Sequence, residues 1–152
     1  MALTHAMHDM VADMRDEMHD LTKIASVDAS RQGYLAMWAS FTALPLLYGL
    51  DKFAGFMNVT WSDFMASWMH DVLPGTGDTE LYTLGVIELA IAALVFFAPR
   101  IGGDLAAVYF TVFAINFFAM DGMALFAFGS IALAFCALAM ARMSTKYHHH
   151  DG

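Results

Sequence analysis

The chain has one cysteine, Cys136, in 152 residues. An intrachain disulfide and a cysteine-based metal site are therefore both excluded. Within an apolar block the thiol is expected to behave as a small buried hydrophobe. Positive charge is also scarce, with seven Lys and Arg against fifteen Asp and Glu. No basic patch for a phosphate backbone can be assembled from so few, which argues against nucleic acid as a partner. The N-terminus lacks a basic region, apolar core and small-residue cleavage site, so the first apolar span is expected to serve as its own insertion signal. No P-loop, Gly-rich dinucleotide turn or nucleophile elbow is present. The apolar blocks contain no histidine, which removes haem ligation from within them.

What remains is apolar. Hydrophobic residues make up 59% and charged residues 14% of the chain. Soluble domains carry nearer 25% charge. The excess falls in blocks between Gly33 and Ala141, which marks an integral membrane protein rather than a greasy soluble core. Four spans are predicted, at 33–50, 81–98, 104–120 and 123–141. Each has a length near the hydrocarbon thickness of about 30 Å. The links "PRIGG" and "DG" are short and force antiparallel neighbours. The fold class is thus all-α, an integral membrane four-helix bundle, with a segment 1–30 before it and a tail 143–152 after it.

Orientation follows from the cations. Four spans put both termini and the Arg100 link on one side, with Arg15, Lys23, Arg31, Arg100, Arg142 and Lys146. The other side holds Lys52 alone. The positive-inside rule places both termini in the cytoplasm.

Two amphipathic segments flank the spans. In Thr60–Gly75, Trp61, Phe64, Met65, Trp68, Met69 and Val72 follow helical spacing. Thr60 and Asp63 resemble a capping box, and Pro74-Gly75 a stop. The segment reads as an outer interfacial helix, or equally as a loop helix over the bundle mouth. In the N-terminal segment Leu3, Met7, Met10, Met14, Met18 and Leu21 form one stripe opposite an acidic face. An acidic helix suits an anionic leaflet poorly, and a Met-rich face suits a protein contact. A docking helix for a partner subunit is expected. The competing reading is metal capture by His5, His8 and His19 with nearby methionines. The terminal "YHHHDG" is either metal-binding, a native polar end or the remnant of a tag.

One charge lies inside a span. Glu88, in "GVIELAIAAL", falls roughly 10 Å below the outer end of span two. Counting along the spans places Asn116, Ser130 and Tyr48 in the same outer half, with Asp51, Lys52 and Asp121 at the lip. Tyr109 is counted into the inner half. Pro45 leaves the Phe41 carbonyl without its helical donor and adds to an outer pocket. Glu88 is then either a proton-handling carboxylate beside a quinone or other small ligand, or a polar tie. A tie would use Asn116 or a freed carbonyl if Glu88 is protonated, and Lys52 if it is ionised. The small residues Ala127, Ser130, Ala134, Ala137 and Ala141 form a packing stripe. Tyr34 and Trp38 read as interface anchors.

"YGLDKF", "NVTW", "LPG", "GVIELAIAALVFFAPRIG", "AINFF" and the acidic turn before span four, in that order between Arg31 and Arg142, resemble the DoxX-like family of small four-span prokaryotic membrane proteins. The resemblance implies a place in the prokaryotic cytoplasmic membrane and in a membrane redox assembly. The family's best described role is a membrane subunit linked to thiosulfate oxidation by quinone. Three functions are carried forward: an accessory subunit of a larger respiratory or redox complex, bound to other membrane subunits and to lipid; a quinone-interacting oxidoreductase subunit with Glu88 handling protons; and a small-solute transporter, which four short spans without an internal repeat favour least.

Overall fold

The computed structural model describes residues 1–147; the histidine run at 148–150 lies outside them. The elements are α1 (Ala2–Thr22), a 3-10 turn (Ile24–Ser26), α2 (Ala29–Ala54), a second 3-10 turn (Trp61–Phe64), α3 (Ser67–Val72), α4 (Asp78–Phe97), α5 (Pro99–Phe118) and α6 (Ala124–Tyr147). No strand occurs among the described residues. Helices α2, α4, α5 and α6 are long and apolar enough to cross a membrane. Val86, Val108, Ile115, Phe128 and Phe135 project outward and are exposed, as a lipid-facing bundle requires.

The spans differ from the sequence expectation at their ends. Asp28 caps α2, its carboxylate accepting the backbone N–H groups of Ser30 and Arg31 at 3.1 Å each. The hydroxyl of Ser30, bonded to the same carboxylate, holds its pKa below the ordinary value. At the other end α2 runs through Asp51 and Lys52 and stops at Gly55, whose φ of 64° suits glycine. "PRIGG" is not a link but the first turn of α5, since Pro99 has no N–H to lose at a helix start. Gly102 permits the sharp turn, because a Cβ there would lie 2.2 Å from the Val95 nitrogen of α4. Arg142 does not end the fourth span, and α6 continues to Tyr147.

The predicted single helix over Thr60–Gly75 is broken into the 3-10 turn and the six-residue α3. Thr60 makes no side-chain cap. Met65 and Met69 are buried while Val72 is 71% exposed, so the expected stripe is not one face. The segment forms a strap across one end of the bundle.

The other end carries α1, the start of α2 and the last turns of α6. Here α2 brings Tyr34, Leu35, Trp38 and Phe41, α4 Ile91 and Val95, α5 Ala106, Ala107 and Phe110, and α6 Ala134, Ala137 and Met140 into one core. Tyr34 and Trp38 are therefore core residues, not interface anchors; they are 0% and 2% exposed. The small stripe of α6 is buried throughout.

Helix α1 lies against this terminal end, touching α2 and α4. It docks by polar groups. The Tyr34 hydroxyl donates to the buried Glu17 carboxylate. Arg31 pairs with Asp20 at 3.0 Å and donates to the Tyr147 carbonyl at 2.9 Å. Leu21, Ile24 and Val27 pack on the core. The apolar stripe is centred about a sixth of a turn from the buried Glu17. Met10, Met14 and Leu21 are half-buried, and Leu3, Met7 and Met18 remain exposed together with Val11.

Helices α2 and α4 approach closely at two glycines. A Cβ on Gly49 would sit 2.9 Å from the Gly85 carbonyl oxygen, and one on Gly85 would lie 3.2 Å from the Gly49 oxygen. Gly49→Ala is expected to lower stability by about 1–3 kcal/mol, because backbone cannot move aside. A depressed melting temperature in detergent checks this. Gly33→Ala serves as the control, since a Cβ there meets nothing within 4 Å.

Candidate functional site

One turn beyond Gly49 is Lys52, and one turn beyond Gly85 is Glu88. Side chains in a helix tilt toward its N-terminus. Because α2 and α4 are antiparallel, Lys52 is aimed down into the bundle and Glu88 up toward it. They meet: Lys52 Nζ lies 2.7 Å from Glu88 Oε2, with both side chains almost wholly buried.

Each charge has further partners. The Tyr109 hydroxyl of α5 donates to Glu88 Oε1. The Lys52 ammonium makes a long contact of 3.5 Å with the Tyr48 carbonyl and lies 3.8 Å from the centroid of the Trp61 ring. That distance is a cation–π contact. The indole N–H of Trp61 donates to Asp51 Oδ2 at 2.7 Å, and Asp51 Oδ1 accepts the Met57 N–H at 2.7 Å. A continuous polar chain thus runs Asp51–Trp61–Lys52–Glu88–Tyr109 across the strap, α2, α4 and α5.

The strap has two more anchors. Asn116 presents its amide as a strand would, Oδ1 accepting the Ala66 N–H and Nδ2 donating to the Phe64 carbonyl, both at 2.7 Å. His70 Nδ1 lies 2.5 Å from Glu80 Oε2.

Beneath the strap is a cavity of about 720 Å³. Small-molecule sites span roughly 300–1,000 Å³. Eight aromatic residues line it: Tyr48, Trp61, Phe64, Tyr109, Phe110, Phe113, Phe117 and Phe126. Lys52, Glu88 and Ser130 line it too. Pro45 faces it from α2. The hydroxyls of Tyr48 and Ser130 make no hydrogen bond with another described residue.

The chain matches no protein-family model, no curated protein and no solved structure.

The geometry of the site gathers Tyr48, Lys52, Glu88 and Ser130 around one cavity. Asp51 and Lys52 are not at a lip; they are 2% and 8% exposed, because α2 extends past them and turns them inward. Asn116 does not tie Glu88 but holds the strap. Asp121 is exposed in the α5–α6 turn and does not line the cavity. Tyr109 does not lie in the inner half. Glu88 is ten residues from the start of α4 at Asp78, and Tyr109 nine from the end of α5 at Phe118, so the two are level. Correct span ends would have exposed this. Cys136 is not buried in the core: it is exposed and lines the cavity. His5, His8 and His19 are exposed along α1. Among the described residues no group of three or more His, Cys, Asp or Glu is placed to hold a metal.

Removing one member of a desolvated pair strands the other charge, at a cost of about 3–5 kcal/mol. Lys52→Met is expected to destabilise by that amount in detergent unfolding. The double substitution Lys52→Met, Glu88→Leu is expected to regain most of it. Asn116→Leu leaves the Ala66 N–H and Phe64 carbonyl unpaired, at about 1–3 kcal/mol each. Limited proteolysis should then cleave within 55–77 faster, with the four long helices still resistant.

Proposed function

We propose that this protein is a quinone-interacting membrane subunit whose ligand occupies the cavity under the strap. The carrying observation is an aromatic-walled cavity with a mutually neutralised ion pair on its wall and two hydroxyls that make no hydrogen bond among the described residues. Flat rings stack on aromatic walls, and hydroxyl donors suit carbonyl oxygens. The protein's own part is to hold the head-group and exchange its protons through Glu88. A partner subunit supplies or removes the electrons. The resemblance to DoxX-like proteins points the same way, toward a thiosulfate:quinone type of assembly in a prokaryotic cytoplasmic membrane. The cation distribution further supports cytoplasmic termini, which puts the strap on the outer face.

A second reading, the accessory subunit, is favoured by the exposed edge of Leu3, Met7, Val11 and Met18 on α1. There the helix would dock a partner of the same complex. Loss of the partner on deleting Met1 to Lys23 would favour it; retention of the partner would sink it.

Protein purified in mild detergent is expected to bind decylubiquinone at one per chain, measured by equilibrium dialysis. Tyr48→Phe and Ser130→Ala each remove one hydrogen bond, worth about 1 kcal/mol, or roughly five-fold in affinity. Full affinity in both variants refutes the head-group assignment.

A further inference from the structure

The cavity has four sides, and they differ in what closes them. Toward the end of α6 it gives way to the packed core, which it meets at Phe110 and Leu133. At the opposite end the strap covers it, fixed by Asp51 and Asn116. Helices α4 and α5 form the back, with Glu88, Tyr109 and three phenylalanines. The remaining side is the gap between α2 and α6. There Leu125, Gly129, Ala132 and Cys136 line the cavity and are exposed as well. Small residues at 129 and 132 leave the gap open. Cys136 is twelve residues from Ala124 and eleven from Tyr147, so the rim reaches the middle of α6. An opening at that depth faces hydrocarbon, not water.

The charges inside are already satisfied. Glu88 uses one oxygen for Lys52 and the other for Tyr109. Lys52 is shared among Glu88, the Tyr48 carbonyl and the Trp61 face. A ligand bringing its own charge would bury it with no counter-charge available. An uncharged head adds no charge beside the Lys52–Glu88 pair and can bond the Tyr48 and Ser130 hydroxyls and stack on the aromatic faces.

We propose that the cavity is loaded sideways from the bilayer, through the gap between α2 and α6, and that it selects an uncharged amphiphile over an anionic one. This rests on the reading that the cavity under the strap binds a ligand.

A matched pair of probes tests both halves: doxyl-stearic acid, ionised at alkaline pH, and its methyl ester. They share a chain and differ in charge. The immobilised fraction in the electron spin resonance spectrum reads binding to the full chain in nanodiscs. The ester is expected to be immobilised by the wild type and the acid at least ten-fold less. Ala132→Trp is expected to abolish immobilisation of the ester. Phe135→Trp, on an exposed position of α6 that does not line the cavity, controls for added bulk. Ester binding that survives Ala132→Trp overturns the sideways route and leaves the ligand reading standing. Equal binding of acid and ester overturns the selection by charge. Binding of neither probe to the wild type overturns the ligand reading and this inference together.

Discussion

The fold turns on one desolvated contact, the Lys52–Glu88 pair. Taking two ions out of water costs several kcal/mol apiece, and their attraction at best repays this. The pair is therefore no simple source of stability. Its consequence is geometric. If α2 slid by one turn along α4, the charges would separate by about 5.4 Å in a medium that barely screens them. The Gly49–Gly85 crossing lets the helices come close enough for the contact, and the contact holds the crossing in register.

From that fixed pair the bundle divides into two unlike halves. The half near the termini is filled by large and small side chains in alternation, Trp38 and Phe41 against Ala106, Ala137 and Ala134. The half under the strap is not filled. Its polar residues face outward from the cavity's edges to the backbone of the strap, as Asp51 and Asn116 do. Buried polar groups must be bonded, and here the strap provides the bonds. A chain segment with only six residues of α-helix is held by side chains from α2, α4 and α5 rather than by its own structure.

Four spans, their antiparallel order and the polar level of Glu88 were legible in the sequence, because length and hydropathy are properties of each segment alone. Span ends were not. "PRIGG" looks like a link by composition, yet proline at a helix start and glycine at a close approach are both compatible with helix. That error displaced Tyr109 by a turn and hid the partner of Glu88. Asp51 and Lys52 read as a polar lip because charges usually mark the end of a span. Their burial depends on where neighbouring helices lie, which no single-segment pattern encodes. The strap misled in the opposite sense. Its helical spacing is real, but Asn116 claims the backbone N–H of Ala66 and the carbonyl of Phe64 and interrupts the helix there.

The cavity is not a failure of packing. The residues that would fill it most simply are those at Gly129 and Ala132, which face it from α6. The same helix carries bulky Phe128 and Phe135 on its outward side, where they contact nothing in the bundle core. A sequence selected only to pack would place the large side chains inward. Voids in a close-packed interior forfeit dispersion contacts. This one is walled with aromatic rings and with charges that cancel one another. That combination makes sense for a space occupied by something other than the protein's own side chains. On the proposed reading Glu88 has two duties at once: it fixes the register of two helices, and with Lys52 it lines the cavity with a pair of no net charge.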